Sequence, residues 1–414
     1  MSIIADSLAF GKTRNSELAN EECAGRQEQY CHTPEVIQLE LTDRCNAACI
    51  MCSHYYKGNT QAQDLKDGVL EKLEPLMANC KMMLMNGYGE PFISQKYRQC
   101  VDMLKAYGVK AFVTTNLSVF TEEMAHDAEE VFEQINISCH GCNREDYERI
   151  SRGLSFERFC ENLDRLASLR RRPYLSLSVV AMAANIEKAA DFVRFAAAHK
   201  IPDIRFGRLG INQFIGNEEQ DLIHYSQAAA VYFHEAQEVA DRCGVNLVYP
   251  GNYQRIRPDT DAARKQADML QHLEFRYTAE HQSLIRKQYL RTLDKNNYIR
   301  EKIPPFETGI KVRGICDWVG KGLYIDKNGE CFPCCESKEV SYGNILTDDL
   351  EEILNGEKAV SVRTDFYEGR LPYFCINCPF ITNQELQMLK VEHKKELYRS
   401  PEYRRTGGDL SEES

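Results

Sequence analysis

The 414-residue sequence lacks three features that would assign it to a class at once: a long apolar run, a secretory start and a surplus of basic residues. No apolar run reaches the roughly 18 residues that cross a bilayer. The start, MSIIADSLAFGKTRNSELANEE, has no basic stretch followed by an apolar one, so we infer no signal peptide. With 51 Lys and Arg against 62 Asp and Glu, the net charge is −11. This balance argues against a general nucleic-acid-binding protein, and we expect a cytoplasmic protein without nucleic-acid or membrane partners.

A hydrophobic content of 43% is sufficient for a packed core, and the length predicts one large domain with a smaller appendage. Apolar periodicity predicts strands, at residues 36–42, 81–87, 109–116, 134–140, 174–182 and 203–210. It also predicts helices between them, at residues 68–80, 97–108, 156–171 and 186–200. Strands that alternate with such helices form βαβ units around a parallel sheet. The sequence therefore predicts the α/β class, with a partial (β/α)6, TIM-like barrel over residues 35–210 whose chemistry lies at the carboxyl ends of the strands.

The remaining chain divides into four parts. We expect an N-terminal extension at 1–34, a helical, locally basic insertion or cap at 211–313, a small cysteine-bearing α+β domain at 314–382, and a C-terminal helix with a disordered tail at 383–414. The basic residues of the insertion have two interpretations, a solvated helix face or a surface that binds a carboxylate or phosphate of the substrate. We single out Arg255, Arg257, Arg264 and Lys265.

Cysteine is the unusual residue, with 17 copies. An odd number of thiols in a chain expected in the reducing cytoplasm does not indicate a disulfide framework. Ten of them stand in no convincing ligand pattern, and we expect most of those to be buried or incidental thiols. The other seven form two groups whose spacing indicates metal ligation.

The first group is Cys45, Cys49 and Cys52, in a CxxxCxxC pattern directly after the first predicted strand. Three thiolates at this spacing can bind three corners of a [4Fe–4S] cube and leave the fourth iron without a protein ligand. A structural zinc site would normally close its tetrahedron with a fourth Cys or His. His54 is the nearest candidate, but its geometry would be cramped. An iron with an open position can chelate a small molecule through an amine and a carboxylate.

The second group lies in the small domain. Cys316, Gly329 and Cys334 form C-x12-G-x4-C, and Cys375 and Cys378 form a later CxxC. The segment between the first two cysteines predicts a β-hairpin that turns at residues 327–329. A zinc ribbon-like knuckle is one interpretation of this group. Two neighbouring cysteines compete with Cys334 as ligands, Cys331 and Cys335.

Residues 35–210 resemble the radical S-adenosylmethionine (radical SAM) superfamily. The resemblance rests on the first cysteine group and on motifs at the ends of later predicted strands. Asn86-Gly-Tyr-Gly-Glu-Pro91 resembles the family's GGEP-type motif, and Thr114-Thr-Asn116 resembles its TNG stretch. The sequence departs from the family at Leu117, where glycine is usual, and at His140, where an acid is usual. It also departs at Met51, where most members have an aromatic residue that packs by the adenine. The residues that the resemblance assigns to SAM binding are Met51, Gly87, Tyr88, Gly89, Glu90, Thr115, Asn116, Ser138, Arg152 and Asn185.

This resemblance implies an enzyme with SAM and a [4Fe–4S] cluster as cofactors. The cluster would donate one electron to SAM, which cleaves to methionine and a 5′-deoxyadenosyl radical that removes hydrogen from an unactivated C–H bond. It also implies a flavodoxin- or ferredoxin-type electron donor. The radical must be kept from water, which a closed barrel interior achieves.

The small domain resembles the SPASM/twitch domains that follow radical SAM barrels, including a G-N-I…L-x-x-I-L stretch at residues 343–354. Because no cysteine follows Cys378, it is more similar to the shorter twitch type, with one auxiliary [4Fe–4S] cluster. The implied ligands are Cys316, Cys334, Cys375 and Cys378. Their ligation would be complete, so this cluster would relay electrons rather than bind substrate.

Three functions compete. The first is radical chemistry on a small polar metabolite such as a sugar, aminocyclitol or nucleoside, and the second is modification of a ribosomally made peptide. We favour the metabolite, because the 34 residues before the first strand are too few for a leader-binding domain. The third is a non-enzymatic zinc-stapled scaffold. Among outcomes we favour oxidation over epimerisation, for which Cys139 or Cys142 would donate hydrogen unless they are buried structural thiols.

Overall fold

The structure is a computed structural model that describes residues 4, 7–52, 62–209, 218–273, 315–337, 340–371, 375 and 378. Its strands are β1 (Val36–Leu39), β2 (Ala48–Cys49), β3 (Met82–Met85), β4 (Lys110–Thr115), β5 (Phe132–Ser138), β6 (Ser151–Arg152), β7 (Tyr174–Ala181), β8 (Asp203–Arg208), β9 (Asn246–Val248), β10 (Gly322–Ile325), β11 (Glu330–Phe332) and β12 (Gly343–Asn344).

The α-helices surround these strands. They are α1 (Gly11–Ala24), α2 (Val69–Leu73), α3 (Tyr97–Ala106), α4 (Glu122–Glu130), α5 (Arg144–Ile150), α6 (Phe156–Ala167), α7 (Ala189–Ala198), α8 (Ser226–Cys243), α9 (Gly251–Arg255), α10 (Thr260–Gln271), α11 (Asp317–Lys321), α12 (Leu350–Asn355) and α13 (Glu357–Tyr367). Short 3-10 turns occupy Glu74–Leu76, Pro91–Ile93, Ile186–Lys188, Glu218–Gln220 and Leu222–Tyr225. No helix within the described residues has the length and apolar character to cross a membrane.

One sheet of ten strands organises the molecule. Its order is β12-β11-β10-β1-β3-β4-β5-β7-β8-β9, and the run from β1 to β8 is parallel throughout. These six strands are the six that the sequence predicts, so the partial (β/α)6 barrel is confirmed. β9 adds a further parallel strand beyond β8.

The two faces of the sheet differ in chemistry. Side chains that face the helices are apolar and fully buried, as Ile37, Val113 and Leu177 show at 0% exposure. Alternate residues point to the opposite face, which lines the barrel interior. Many of these are polar: Gln38, Thr114, Asn136, Ser138, Ser176, Ser178 and Arg205.

The small domain is joined to the barrel through the sheet itself. β10 pairs in parallel with β1, with Ile37 opposite Leu323 and Leu39 opposite Ile325. β11 and β12 then extend the sheet in antiparallel fashion. The predicted hairpin is confirmed: Gly329, at φ 86°, ends the turn between β10 and β11.

The N-terminal segment also connects to the small domain. Glu22 of α1 contacts His32 at 2.5 Å, and the backbone N–H of Tyr30 donates to Asn355 of α12 at 2.8 Å. The sequence predicts an extension or partly ordered cap here. In the structure, this segment is a helix and a buried connection between the barrel and α12.

The described part of the 211–313 segment, residues 218–273, is mainly helical. α8 packs on α7, and α10 packs on α8. Arg255, Arg257, Arg264 and Lys265 are all exposed, which fits a solvated helix face. The proposed domain boundaries at 210, 313 and 382, the rest of the basic segment and the C-terminal tail lie outside the described residues.

Candidate functional site

The loop that carries Cys45, Cys49 and Cys52 follows the carboxyl end of β1 and is held by the two-stranded ribbon of β2 and β6. Cys49 lies opposite Ser151 in this ribbon, and the backbone N–H of Cys52 donates to the carbonyl of Cys49 at 3.0 Å. All three thiols are partly exposed. The ribbon therefore fixes the loop at the end of the barrel where catalysis is expected.

The Cys45 and Cys49 thiols of this loop are neutral at physiological pH when no metal is bound. Burial raises the pKa of Cys45 to about 11 and the pKa of Cys49 to about 12, and the neighbouring thiols raise both further. The backbone N–H of Ala47 donates to Sγ of Cys45 at 3.4 Å, which favours the thiolate. Coordination to a metal deprotonates a thiol outright. The loop thus gathers thiols that become anionic when a metal replaces their protons.

The thiol set fits a cluster rather than a single ion. Within the described residues, no three Cys, His, Asp or Glu side chains are arranged to hold one metal ion. In a cube each thiolate binds a different iron, so the ligands need only surround a shared space. Cys45, Cys49 and Cys52 interact electrostatically with one another and therefore lie around one such space.

Gly87 and Gly89 bring the turn after β3 against the end of β1. A Cβ on Gly87 would lie 2.5 Å from Cγ of Glu40. A Cβ on Gly89 would lie 2.5 Å from the carbonyl oxygen of Arg44 and would also meet that of Thr42. Both glycines are therefore required by close approach, and the turn lies directly beside the cysteine loop.

The Glu90 carboxylate joins the ends of β3 and β4. It is 3% exposed and accepts hydrogen bonds from the Thr115 hydroxyl at 2.7 Å and from the backbone N–H groups of Asn116 at 2.7 Å and Phe92 at 3.1 Å. Burial raises its pKa to about 7, although these hydrogen bonds lower it. A carboxylate offers about four acceptor sites, so one remains for an ammonium group. Its predicted contact with SAM stays a prediction.

Asn116 connects this region to the cysteine loop. Its side-chain amide donates to Asn46 at 3.0 Å and lies 3.9 Å from Sγ of Cys45. Leu117, which stands where the family has glycine, adopts a left-handed φ of 53° while fully buried. The motif at the end of β4 and the cysteine loop are therefore in direct contact.

At the ends of β5 and β7, the polar side chains mainly form hydrogen bonds with the backbone. His140 is 7% exposed, its Nδ1 accepts from the N–H of Val180 at 3.2 Å, and burial lowers its pKa to about 4. The Asn185 amide donates to the carbonyls of Val180 at 3.0 Å and His140 at 3.3 Å. Ser138 is the last residue of β5. The predicted SAM contacts of Ser138 and Asn185 stay predictions.

Met51 belongs to a small apolar cluster beside the cysteine loop. Its members are Ile50, Met51, Ile150, Met182 and Leu209. Such a surface suits the face of an adenine ring, in keeping with the predicted place of Met51. Arg152 lies opposite Ala48 in the ribbon, within the same region.

Cys139 and Cys142, the two candidate hydrogen donors, lie outside the cysteine loop. Cys139 is 0% exposed in the core on the helix side of the sheet, and its thiol donates to the carbonyl of Gly141 at 3.3 Å. Burial raises the pKa of Cys142 to about 11, with Asp191 and Asp146 nearby. These surroundings fit buried structural thiols, and their donor role stays a prediction.

The sequence analysis missed Glu40. Its carboxylate is 3% exposed and accepts from the backbone N–H of Tyr88 at 2.8 Å. Burial raises the pKa of Tyr324 on β10, and Glu40 raises it further, so the two side chains are neighbours. The alternation of VIQLELT, which puts Gln38 and Glu40 on one face, was the available signal.

The second thiol group assembles in the small domain. Burial raises the pKa of Cys316, and Cys378 contributes. Burial also raises the pKa of Cys334 to about 12, and Cys316 contributes in turn. The backbone N–H of Cys378 donates to the carbonyl of Cys375 at 3.2 Å. The four thiols of the predicted set thus share one region, which fits a fully ligated cluster.

One of the two competing cysteines has other surroundings. Cys331 is 0% exposed, lies opposite Ile325 in the sheet and packs into the helix-side core. Cys335 raises the pKa of Cys334, in addition to burial, and therefore lies beside the second thiol group. The surroundings of Cys331 favour Cys334 over it, and the choice between Cys334 and Cys335 stays a prediction.

Comparison with known families supports both centres. Residues 39–196 match the model of the radical SAM superfamily, and residues 316–379 match that of the SPASM iron–sulfur cluster-binding domain. Together these matches cover more than half of the chain.

Curated relatives are distant and partial. A probable GTP 3′,8-cyclase of Thermococcus kodakarensis is 24% identical over 163 residues, 39% of this chain and 52% of that protein. A tungsten-containing aldehyde ferredoxin oxidoreductase cofactor-modifying protein of Pyrococcus furiosus is 29% identical over 98 residues, 23% of this chain and 27% of that protein. The chain thus spans about half or less of the length of these relatives.

Solved structures share the fold. Streptococcus suis SuiB bound to its precursor peptide SuiA has a TM-score of 0.54 at 12% identity, and the match covers 85% of this chain and 71% of SuiB. The anSMEcpe structure with bound AdoMet has a TM-score of 0.53 at 11% identity, with 91% and 96% coverage. At such identities the likeness establishes the fold alone.

Proposed function

We propose that this chain, which belongs to the radical SAM superfamily and carries a C-terminal SPASM domain, removes hydrogen from a small polar metabolite and oxidises it. The two family matches imply SAM, a [4Fe–4S] cluster and an auxiliary cluster as cofactors. Cys45, Cys49 and Cys52 would hold the first cluster, and Cys316, Cys334, Cys375 and Cys378 the second. When bound, SAM and its cluster supply a 5′-deoxyadenosyl radical that abstracts hydrogen.

The proposal of a small polar metabolite as substrate rests on the polar side chains of the sheet's interior face. Arg205 of β8 lies opposite Ser178 on this face, and its side chain is 52% exposed. Its Nε donates to Asp203 at 2.8 Å, which restrains the guanidinium. An oriented guanidinium suits a carboxylate or phosphate, and the neighbouring amides and hydroxyls suit a hydroxylated substrate.

The Asp203 carboxylate restrains the Arg205 side chain. It is fully buried and accepts from Ser176 and Asn246, each at 2.5 Å, as well as from Arg205. Burial raises its pKa, but these three partners hold the pKa below its ordinary value, so the carboxylate is ionised at neutral pH. The network therefore restrains a cation that is still half-exposed and open to an anionic group.

We further propose net oxidation. One hydrogen atom leaves the substrate with the 5′-deoxyadenosyl radical, the resulting substrate radical releases one proton, and its electron passes to the auxiliary cluster. A fully cysteine-ligated cluster has no open coordination position and suits this role as acceptor. A flavodoxin or ferredoxin would supply the first electron and remove the last.

Peptide modification is the second candidate function. It is favoured by the likeness to SuiB, whose structure contains its precursor peptide and whose match covers 85% of this chain. The outcome there would be epimerisation or crosslinking of a ribosomally made peptide.

A substrate panel separates the two candidates. The reconstituted protein is incubated anaerobically with SAM and dithionite, with either amino sugars, aminocyclitols and nucleosides or a set of synthetic peptides. We expect the small polar compounds to stimulate 5′-deoxyadenosine formation. Stimulation by peptides alone would contradict the metabolite proposal.

The redox outcome is read in deuterium oxide with any compound found active. Oxidation predicts a product two mass units lighter, no solvent deuterium retained at carbon and one SAM consumed per turnover. A product of unchanged oxidation state that carries one deuterium would contradict oxidation.

Arg205→Gln should raise the KM of an anionic substrate about ten-fold or more while dithionite-driven SAM cleavage persists. Arg14→Gln is the matched control, because Arg14 is 54% exposed beside Glu17 and its replacement removes the same charge. An unchanged KM in Arg205→Gln would exclude Arg205 from substrate binding.

A further inference from the structure

Arg363 of α13 is a buried cation without a carboxylate partner. It is 3% exposed, and the hydrogen-bond partners that the described residues give it are all uncharged. Its guanidinium donates to the carbonyls of Glu28 at 2.7 Å and Leu354 at 2.9 Å, and to the Asn355 side chain at 3.3 Å. Buried charges in proteins are normally paired with an opposite charge or a metal site.

The aromatic groups around Arg363 do not supply that charge. Its guanidinium lies 4.2 Å from the centre of the Tyr30 ring. Burial raises the pKa of Tyr30, Tyr342 and Tyr367, so all three are neutral at physiological pH. Burial also lowers the pKa of Arg363 itself, in keeping with a charge that lacks compensation.

Tyr342, directly before β12, has an unpaired hydroxyl beside this cation. The residue is 8% exposed, and its hydroxyl has no hydrogen-bond partner among the described residues. It lines one cavity with Arg363, and Cys334 and Cys375 are close enough to affect its pKa, although burial dominates. The backbone N–H of Tyr342 donates to the carbonyl of Cys331 at 2.8 Å, three residues before Cys334, so Tyr342 lies beside both Arg363 and the second thiol group.

We propose that Tyr342 and Arg363 form the surroundings that set the reduction potential of the auxiliary cluster. The Tyr342 hydroxyl donates a hydrogen bond to a cluster sulfur, and Arg363 supplies the positive charge that balances the anionic cluster. A [4Fe–4S]2+ cube with four thiolates is dianionic, and its reduction adds a further negative charge. Hydrogen bonds to the sulfurs and nearby charge are known determinants of such potentials.

The consequence is a cluster that accepts an electron more readily than one in an apolar, uncharged pocket. Both groups stabilise the reduced form more than the oxidised form, because the reduced form carries more negative charge. This inference rests on the auxiliary cluster but not on the proposed substrate or on net oxidation.

The test uses full-length protein in which Cys45, Cys49 and Cys52 are all changed to Ala, so that only the auxiliary cluster loads. Iron and sulfide are counted after anaerobic reconstitution, and the midpoint potential is measured by redox titration followed by EPR. Tyr342→Phe removes one hydroxyl, Arg363→Gln removes the charge but keeps an amide donor, and Tyr107→Phe is the control. The Tyr107 hydroxyl donates to Glu74 on the barrel surface.

We expect full cluster loading in Tyr342→Phe with a more negative midpoint potential, a larger negative shift in Arg363→Gln, and no shift in Tyr107→Phe. An unchanged potential in a fully loaded Tyr342→Phe would overturn the hydrogen bond and assign the hydroxyl to a water in the cavity. Should Arg363→Gln fold, load its cluster and keep the potential, the role of Arg363 would be wrong.

This experiment needs neither SAM nor a substrate. Its failure would leave the proposed reaction standing, and failure of the substrate panel would leave this inference standing.

Discussion

At the scale of single residues, Gly89 has no room for a side chain. Alanine there would place a Cβ 2.5 Å from the backbone carbonyl oxygen of Arg44, which cannot rotate away as a side-chain end could. We expect Gly89→Ala to displace the turn at a cost of about 1–3 kcal/mol and to weaken SAM binding about 10- to 100-fold. Titration calorimetry with SAM measures this, with Gly251→Ala as the control because no atom lies within 4 Å of a Cβ there. Equal affinities in the two variants would contradict the close-approach argument.

His140 makes the stability of the protein depend on pH. Burial lowers its pKa to about 4, whereas the unfolded chain has an ordinary imidazole near 6.5. The folded state therefore does not take up the proton that the unfolded state binds, and the free energy of unfolding falls as pH decreases from about 6.5 to about 4. The loss from this group is about 3 kcal/mol at most.

Replacement of His140 by Gln, which keeps an acceptor for the Val180 N–H, should flatten that part of the pH profile. Urea denaturation at several pH values measures it. His126→Gln is the control, because the His126 side chain is 66% exposed. A profile identical in His140→Gln and the parent chain would show that this imidazole is not the group responsible.

The types of residue in the candidate site and their order along the chain could be predicted from the sequence. The hydrogen-bond partners of their side chains could not. The cysteine spacing predicted both thiol groups, because ligand spacing is a local property of the chain. The Glu90 carboxylate, by contrast, is largely occupied by Thr115 and Asn116, a contact between strands that only the fold creates. Glu40 was missed for the same reason, since its partner is the backbone of Tyr88.

Leu117 illustrates a local conflict that packing resolves. The resemblance located this position as one where glycine is usual, and the structure gives it φ 53°, a conformation that costs a non-glycine residue about 1–2 kcal/mol. Its side chain is fully buried, and a buried leucine is worth about 2–5 kcal/mol relative to alanine. The burial outweighs the strain, which no local pattern predicts.

At the scale of elements, the predicted strands and helices agree with the structure to within a few residues at most ends. The predicted strand 109–116 is Lys110–Thr115, and the predicted helix 97–108 is Tyr97–Ala106. The ribbon of β2 and β6 was not predicted, because two-residue strands have no measurable periodicity. The pairing of β10 with β1 was not predicted either, because it joins strands far apart in the chain.

The shared sheet makes the barrel and the small domain one cooperative unit. Leu323 of β10 is 0% exposed and lies opposite Ile37 of β1. We expect Leu323→Ala to cost about 2–5 kcal/mol and to lower the unfolding midpoint of both parts together. Val248→Ala, at 40% exposure on β9, should change stability by about 0.5 kcal/mol or less.

Far-UV circular dichroism and the visible absorbance of the reconstituted clusters follow the two parts during heating. Coincident transitions in the parent chain and in Leu323→Ala would agree with a single unit. Two separate transitions, with only the absorbance affected by the substitution, would contradict it.

At the scale of the whole molecule, the segments that carry the two thiol groups are joined to the same ten-stranded sheet. The cysteine loop follows β1, and the small domain begins its own strands at β10, the neighbour of β1. The sequence predicted two centres but not this adjacency. The domain proposed to hold the electron acceptor is thus joined directly to the strand that leads into the cysteine loop.

The most direct measurement is the formation of 5′-deoxyadenosine by anaerobically reconstituted protein with SAM and dithionite, quantified by liquid chromatography and mass spectrometry. The parent chain should form it, and the chain with Cys45, Cys49 and Cys52 all changed to Ala should lose about four irons and form none. The four remaining cluster cysteines serve as the internal control, because their iron should be retained. Formation of 5′-deoxyadenosine by the triple variant would contradict the assignment of this loop as the SAM-cleaving centre.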